Sequence, residues 1–338
     1  MKRLVRVKAP SNIALVKYMG KQDSALNIQS NPSISLTLNS LCTMTELERV
    51  GDGAFALHWS GASSMDGVPL RPFGLSEKDR PKVERHFQRV LAHFDEPFQG
   101  SWKVRSGNSF PAGAGIASSA SGFAALTFAI AAILGREDAP RGELSSLSRQ
   151  GSGSSCRSFE GPWVFWNDHL AERLPSRFEA LSDIVILIED SEKVVGSSEA
   201  HQRVKSSPLW GGRVNRVMER IEQLKVILNS ADWPSFSRLS WEEALDMHEL
   251  FHTSEPSFSY WKPRTREVLK WLEGLGVRSG GVRAAVTLDA GPNIHLLVPQ
   301  SDENAWVDRI RARFSEMALL VDREGSGARV VFRSEAQA

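Results

Sequence analysis

A chain of 338 residues with 41 basic and 40 acidic side chains has a net charge of +1 and no basic excess to attract nucleic acid or an acidic membrane. Its 41% apolar content supplies a buried core, and its length fits one large or two ordinary domains. Two cysteines, Cys42 and Cys156, and eight histidines without H-E-x-x-H spacing argue against a disulfide framework and a clustered metal centre.

No apolar run reaches the roughly 18 residues that cross a bilayer. The N-terminal Met-Lys-Arg-Leu-Val-Arg-Val-Lys-Ala-Pro lacks a signal-peptide core, so a cytoplasmic enzyme or binding protein is expected. Leu4–Val7 alternates like a strand, and Ala9-Pro10-Ser11-Asn12 should break it. Lys17 sits inside the mostly apolar Ile13–Tyr18, either snorkelling at an edge or aimed at a ligand. Ile34–Leu38 and Met44–Glu48 read as a hairpin pair, Ala54–Trp59 as a strand and Ser60–Pro72 as a loop. Glu77–Phe94 carries apolar residues at helical spacing. The strand Ser101–Arg105 runs into a Gly-rich turn and then the apolar helix Gly122–Leu134. Glu143–Arg149 is a short helix, Gly151–Arg157 a second Gly-Ser turn and Trp163–Trp166 a strand. Beyond Pro175 come a buried strand (Ile184–Glu189) and helices at Gly211–Asn229, Pro234–Phe251, Pro263–Gly274 and Glu303–Met317. Strands at Val282–Asp289 and Ile294–Val298 flank the turn Ala290–Asn293, and Arg329–Phe332 closes the chain. The interleaving predicts an α+β or α/β protein of two domains meeting near residues 175–183.

The turn Ser106–Ser121 is the first candidate site. A Gly-rich connection into a helix N-terminus leaves backbone N–H groups converging at the positive end of the helix dipole, where phosphate binds. Gly113 and Gly115 allow close approach of the backbone, Pro111 stiffens the turn, and Ser118 and Ser119 add hydroxyls. The competing reading is a tight strand-to-helix connection built on small residues. The spacing matches neither G-x-x-x-x-G-K-[ST] nor G-x-G-x-x-G, which disfavours a Walker-type NTPase and a Rossmann cofactor site. Three further segments are rich in ligand-binding groups: Ala9–Lys21, Gly151–Arg157 and Thr287–Asn293. Each has a plain alternative, as solvated edge lysines, a flexible turn or an Asp turn-former.

Taken together, the motifs Ala9-Pro-Ser-Asn-Ile-Ala14, Lys17-Tyr-Met-Gly-Lys21, Asn31-Pro-Ser-Ile-Ser35, Ser106-Gly-Asn-Ser-Phe-Pro…Gly115-Ile-Ala-Ser-Ser-Ala, Gly151-Ser-Gly-Ser-Ser-Cys-Arg157 and Asp289-Ala-Gly-Pro-Asn293 resemble the diphosphomevalonate decarboxylase family of the GHMP kinase superfamily. The resemblance covers nearly the whole chain. It implies an α+β GHMP kinase fold. Residues 1–180 would form a domain like ribosomal protein S5 domain 2, residues 181–338 a ferredoxin-like domain, and the active site would lie in the cleft between them. The implied reaction is ATP-dependent: O3 of mevalonate 5-diphosphate is phosphorylated, then phosphate and CO2 leave to give isopentenyl diphosphate.

The resemblance assigns Asp289 to the 3-hydroxyl, Lys17 beside it, Arg157 to the substrate carboxylate and Ser154 to the hydroxyl and carboxylate end. Tyr18, Met19, Gly20, Lys21, Ser152, Gly153, Ser155, Cys156 and Ser197 fall at substrate-contact positions. Asn108, Pro111, Gly113, Ala114, Gly115, Ala117, Ser118 and Ser119 would cradle ATP, with Mg2+ bridging its phosphates and no metal ligands of the protein's own. The implied partners are small molecules, with neither nucleic acid nor membrane, in a homodimer. The chain departs from the family at Met19 (usually Trp), Pro32 (usually Ser), Ala200-His201 (usually Gly-Met) and the longer Ser60–Pro72 segment, where Arg71 stands as a substitute for the usual basic residue. Relatives that act on mevalonate 5-phosphate or 3,5-bisphosphate, or that stop after phosphorylating O3, are the alternatives. The presence of Asp289, Lys17 and Arg157 favours a full decarboxylase.

Overall fold

The computed structural model describes residues 3–111, 116, 118–167, 170–189 and 194–334. Its first strand, β1 (Arg3–Val16), continues unbroken through Ala9–Asn12. Pro10 does not interrupt it because the ladder shifts register there: Pro10 faces Cys42, whereas Asn12 faces Thr37. Proline is tolerated at such irregularities. The following strand, β2 (Ser33–Ala54), is a single 22-residue strand rather than the expected hairpin. At its midpoint the N–H groups of Asn39, Ser40 and Leu41 donate to the Asp322 carboxylate at 3.0, 2.8 and 2.7 Å. That distant carboxylate satisfies backbone donors that step out of the ladder, so the chain bends without turning back.

The chain continues through β3 (Ala56–Gly61), α1 (Arg80–His93), β4 (Gln99–Asn108), α2 (Ser118–Ile133), α3 (Arg141–Gly151), β5 (Trp163–Asn167) and β6 (Leu170–Leu174). Then come β7 (Leu181–Leu187), α4 (Ser197–Arg203), α5 (Arg213–Ser230), α6 (Trp233–His252) and α7 (Pro263–Gly274). The last elements are β8 (Ala285–Thr287), β9 (Ile294–Pro299), α8 (Glu303–Arg313), β10 (Ala318–Arg323) and β11 (Arg329–Arg333). The sequence pattern carried no expectation for α4, β6 or β10. Segment Gly151–Arg157 is the end of α3 followed by a 3-10 turn, Gly153–Ser158, rather than a loop. Helix α7 has the predicted bounds, with Pro263 at its start, where a missing N–H costs nothing. Helix α2 is apolar all round and buried along most of its length, as an internal helix must be.

The first sheet runs β6-β5-β2-β1-β11, with β4 on the far half of β2 and β3 parallel to β4. The second runs β8-β9-β7-β10 and is antiparallel throughout. The final strand thus returns to the first sheet. Along β1, Val5, Val7 and Ala9 share a core with Phe87 of α1 and Phe128 of α2. Ile13 and Leu15 lie in a different core with Val185 of β7, Val217 of α5 and Phe236 of α6. Fully burying each such side chain contributes roughly 1.5–3 kcal/mol, so the two halves share a core at the end of β1. That end is where Lys17 emerges.

Candidate active site

Lys17 follows the last residue of β1, and Asp289 lies two residues beyond β8. They come from opposite halves, and Lys17 Nζ donates to Asp289 Oδ1 at 2.8 Å. A second bond from Nζ reaches Ala14 O at 2.6 Å. The lysine side chain is 2% exposed and the aspartate 23%, so the carboxylate is the face of the pair that a ligand can reach. Burial pulls the Lys17 ammonium below its ordinary value, with Asp289 opposing. Burial pushes Asp289 up, but the charges of Lys17, His295 and Arg157 and the Lys17 hydrogen bond outweigh it and hold the carboxyl below its usual range. The Asp289 carboxyl is therefore ionised at neutral pH, beside an ammonium whose charge depends on it.

Arg157 stands in the 3-10 turn after α3 and is 4% exposed. Its Nε donates to Asn12 Oδ1 (3.1 Å) and its Nη1 to Ser33 Oγ (2.8 Å), while Trp166 stacks 5.8 Å from the guanidinium carbon. Asn12 is itself fixed, donating to Ser158 Oγ (2.9 Å) and Ser154 O (3.3 Å). Among the described residues no carboxylate lies within ion-pair distance of Arg157. A buried guanidinium held in plane by neutral acceptors calls for an anionic guest.

The rest of the Gly-Ser turn divides by direction. Ser152 Oγ meets Ser119 Oγ at 3.1 Å, which joins the turn to the N-terminus of α2. Ser154 is half-buried and Gly153 packs under the Tyr18 ring. Ser155 and Cys156 point inward, Ser155 Oγ to Ser152 O (2.6 Å) and Cys156 Sγ to Gly153 O (3.1 Å). Burial pushes the Cys156 thiol up to about 12, so it stays protonated and holds the turn.

Tyr18 packs edge-on to Trp166 (4.8 Å) and against His201 (4.4 Å), and its hydroxyl is buried without a protein partner among the described residues. Met19 is buried among Val195, Ala200, Met247 and Phe251. Gly20 has φ +80°, and a Cβ there would lie 2.1 Å from the Trp210 ring. Its N–H donates to His201 Nδ1 at 2.9 Å. Burial lowers His201 to about 3, so the ring is neutral and Nε2 carries its proton. Ser197 begins α4 and is exposed.

Lys21 lies on a short ribbon of Lys21–Asp23 with Ile28–Gln29, and its Nζ donates to Asn27 Oδ1 at 2.7 Å. Burial, and then repulsion from Lys82, lower it to about 8. Lys82, on α1, holds its ammonium 4.8 Å over the Phe123 ring of α2. Neither lysine has a carboxylate within ion-pair distance among the described residues. Sequence reasoning missed Lys82, because in α1 it looks like any exposed helix cation.

On the phosphate-loop side, Asn108 ends β4 and is buried, its Oδ1 2.8 Å from Thr43 Oγ1. Thr43 Oγ1 is also 2.7 Å from Ser121 Oγ on α2. Pro111 is buried, Ser118 half-buried and Ser119 exposed. Gly113, Ala114, Gly115 and Ala117 lie outside the described residues. Arg71 pairs with Asn108 along a two-residue strand at the edge of β4. Among the described residues no three His, Cys, Asp or Glu side chains form a metal-binding group.

Residues 9–173 match the family model of the diphosphomevalonate decarboxylase-like N-terminal domain, and residues 184–330 that of the mevalonate 5-diphosphate decarboxylase C-terminal domain. The diphosphomevalonate decarboxylase of Schizosaccharomyces pombe is 31% identical over 85% of this chain and 76% of its own. The crystal structure of a mevalonate diphosphate decarboxylase from Legionella pneumophila is similar with a TM-score of 0.82 at 34% identity, over 94% of this chain and 100% of that one. MDDEF in complex with MVAPP, AMPPCP and magnesium is similar with a TM-score of 0.84 at 29% identity, over 99% and 100% of the two chains.

Proposed function

Because the chain belongs to the diphosphomevalonate decarboxylase family and shares its α+β GHMP kinase fold, we propose that it acts on mevalonate 5-diphosphate through the Lys17–Asp289–Arg157 site. The reaction is ATP-dependent decarboxylation to isopentenyl diphosphate, releasing ADP, phosphate and CO2. The observation that carries the reading is the ion pair Lys17–Asp289 at the seam between the two sheets, with the guanidinium of Arg157, which meets no carboxylate among the described residues, buried near it.

A tertiary alcohol is a poor leaving group, so O3 must be phosphorylated before CO2 can leave. Asp289, ionised beside Lys17, orients that hydroxyl and accepts its proton as O3 attacks the γ-phosphate. Its low pKa makes it a weak base, which suits a loose transition state in which the proton moves late. Arg157 is fixed at Nε and Nη1, and the remaining donors of its fork hold the substrate carboxylate. Ser154 lies beside it for the same end of the substrate. Tyr18, Gly20, Lys21, Ser152, Gly153 and Ser197 line the side toward the diphosphate, and Lys82 adds a second cation there. Met19, Ser155 and Cys156 act through packing, since their side chains turn away from the cleft. The phosphates of ATP belong at the α2 N-terminus, between Asn108, Pro111 and Ser118–Ser119. That hydroxyl-rich, acid-poor donor set suits a Mg2+ that arrives with the nucleotide and neutralises phosphate charge.

We read residues 1–180 and 181–338 as the two domains, with β11 crossing back. We also read the protein as a cytoplasmic homodimer. No helix among the described residues is long and apolar enough to cross a membrane. Val214, Met218 and Val226 are exposed on α5 and offer a face for a second copy, which sedimentation tests. The experiment that decides the reaction is incubation with MgATP and mevalonate 5-diphosphate, 5-phosphate or 3,5-bisphosphate, with ADP and CO2 assayed separately. CO2 with ADP from the 5-diphosphate supports the reading. ADP without CO2 means a kinase and overturns it.

A further inference from the structure

The two members of the central ion pair are 272 residues apart in sequence, yet one helix touches the backbone of both. On α6, Ser237 Oγ donates to Ala284 O (2.6 Å), just before β8, and Ser240 Oγ to Val286 O (2.5 Å), on β8, which leads to Asp289. A little further along the helix, His248 Nε2 lies 3.2 Å from Asp289 O. A carbonyl only accepts, so Nε2 carries the proton and the ring is the donor. Burial lowers this ring to about 3, which keeps it neutral.

Between these contacts, Glu243 Oε1 accepts the Lys17 N–H at 2.8 Å. Arg213 of α5 pairs with the same carboxylate, and its Nη2 donates to Lys17 O at 3.2 Å. Both Arg213 and Glu243 are fully buried. A buried ion pair adds little net stability over an apolar replacement of the same shape, because desolvation offsets the attraction. Packing α6 against the sheet therefore does not require it. What the pair does provide is a donor and an acceptor fixed on either side of one residue, Lys17.

We propose that Glu243, Arg213 and His248 are positioning residues that hold the Lys17–Asp289 pair in its reactive geometry. They act through the backbones of Lys17 and Asp289 and touch no substrate. The inference rests on the reading of Lys17 and Asp289 as the reacting pair. Misplacement of about 1 Å at a reacting centre costs on the order of 100-fold in rate, so a positioning device should register in kcat.

The test compares two replacements of His248 in the full chain. His248→Phe keeps the ring packing against Phe251 and Trp261 and removes the donor. His248→Gln puts an amide N–H near the place of Nε2. His248→Phe is expected to lower kcat about tenfold at unchanged KM for ATP, and His248→Gln to restore most of it. Glu243→Gln should likewise lower kcat at unchanged KM for ATP. If Glu243→Gln fails to fold, the His248 variants still decide. Folded His248→Phe with wild-type kcat overturns the proposal. So does a Gln variant as slow as Phe, which would make the ring itself the requirement. Ligand-free crystal structures of wild type and His248→Phe add a readout independent of turnover. The Lys17 Nζ–Asp289 Oδ1 distance should lengthen or become variable in the variant, and an unchanged pair overturns the proposal. If the wild type releases no CO2 from mevalonate 5-diphosphate, the functional reading fails, and this distance alone judges the positioning role.

Discussion

The two lysines of Lys17-Tyr-Met-Gly-Lys21 lie four residues apart and sit in opposite electrostatic situations. Lys17 is fully buried, faces a carboxylate at 2.8 Å and is held at its backbone N–H and C=O by Glu243 and Arg213. Among the described residues Lys21 has only the neutral Asn27 as a hydrogen-bond partner, and it is repelled by Lys82. The first end is neutralised and rigid before any ligand arrives. The second end carries uncompensated positive charge that a ligand must complete. Fixed dipoles and charges that need no reorganisation speed chemistry, whereas unpaired cations attract and hold a polyanion. The molecule thus separates a rate-setting end from an affinity-setting end within one short motif.

Removing the carboxylate breaks the first end most severely. Asp289→Asn should lower kcat by about 10²- to 10⁴-fold, the usual scale for a lost general base, while ATP still binds. Steady-state ADP release with separate nucleotide titration measures this. Retention of more than about a tenth of kcat, a loss under ~1.4 kcal/mol, would show that the pair is not the rate-setting group.

Arg157 shares the unpaired character of Lys21 but sits beside the rigid pair, so it tests where the boundary runs. Arg157→Gln should slow CO2 release by roughly 10- to 100-fold, the scale of a lost charged hydrogen bond of ~1.5–3 kcal/mol. KM for ATP should stay within about twofold, since the nucleotide is held elsewhere. Arg157→Lys keeps charge without the fork and should fall between wild type and Gln. Near-normal decarboxylation by a folded Gln variant would return Arg157 to a plain structural role.

At the second end, Lys21→Met and Lys82→Met should each raise KM for the diphosphate substrate by about three- to tenfold, with kcat changed less. A fall in kcat at constant KM would erase the contrast between the ends. The smallest effect is in pH. Lys21 titrates near 8 in the ligand-free protein, so its charge is present below that pH and lost above it. KM for the diphosphate should therefore rise as pH passes through about 8, and Lys21→Met should flatten that rise. The same depression makes the protonated Lys21 destabilising below pH 8, and stability attributable to it should grow toward the ordinary lysine value of 10.5. An identical KM profile in wild type and Lys21→Met would show that another group controls binding.

Much of this was legible in the sequence, and the rest was not for identifiable reasons. Asp289, Lys17 and Arg157 were singled out by the family motifs in which they sit, and the structure brings Lys17 and Asp289 into contact. Helix α7 was legible to its bounds because Pro263 and the apolar spacing are local signals. The hairpin expected at Ile34–Leu38 and Met44–Glu48 was wrong, because the acceptor that lets β2 bend there without turning back is Asp322, about 280 residues away. Lys82 gave no local signal, since a helix cation looks ordinary until its neighbours are known, and His201 stood out only as a departure from the family's Gly-Met pair.

What the sequence by itself determined is the chemistry available: a carboxylate, an ammonium, a guanidinium, a Gly-rich turn before a helix, and the local periods that make strands and helices. What only the tertiary structure decided is which charges are paired. Lys17 and Lys21 are the same residue type in one motif. Their difference comes from Asp289 and Glu243, more than 200 residues further along, against Asn27 and Lys82. Charge state and rigidity depend on the dielectric and on neighbours within a few ångströms, and folding brings those neighbours together from distant parts of the chain.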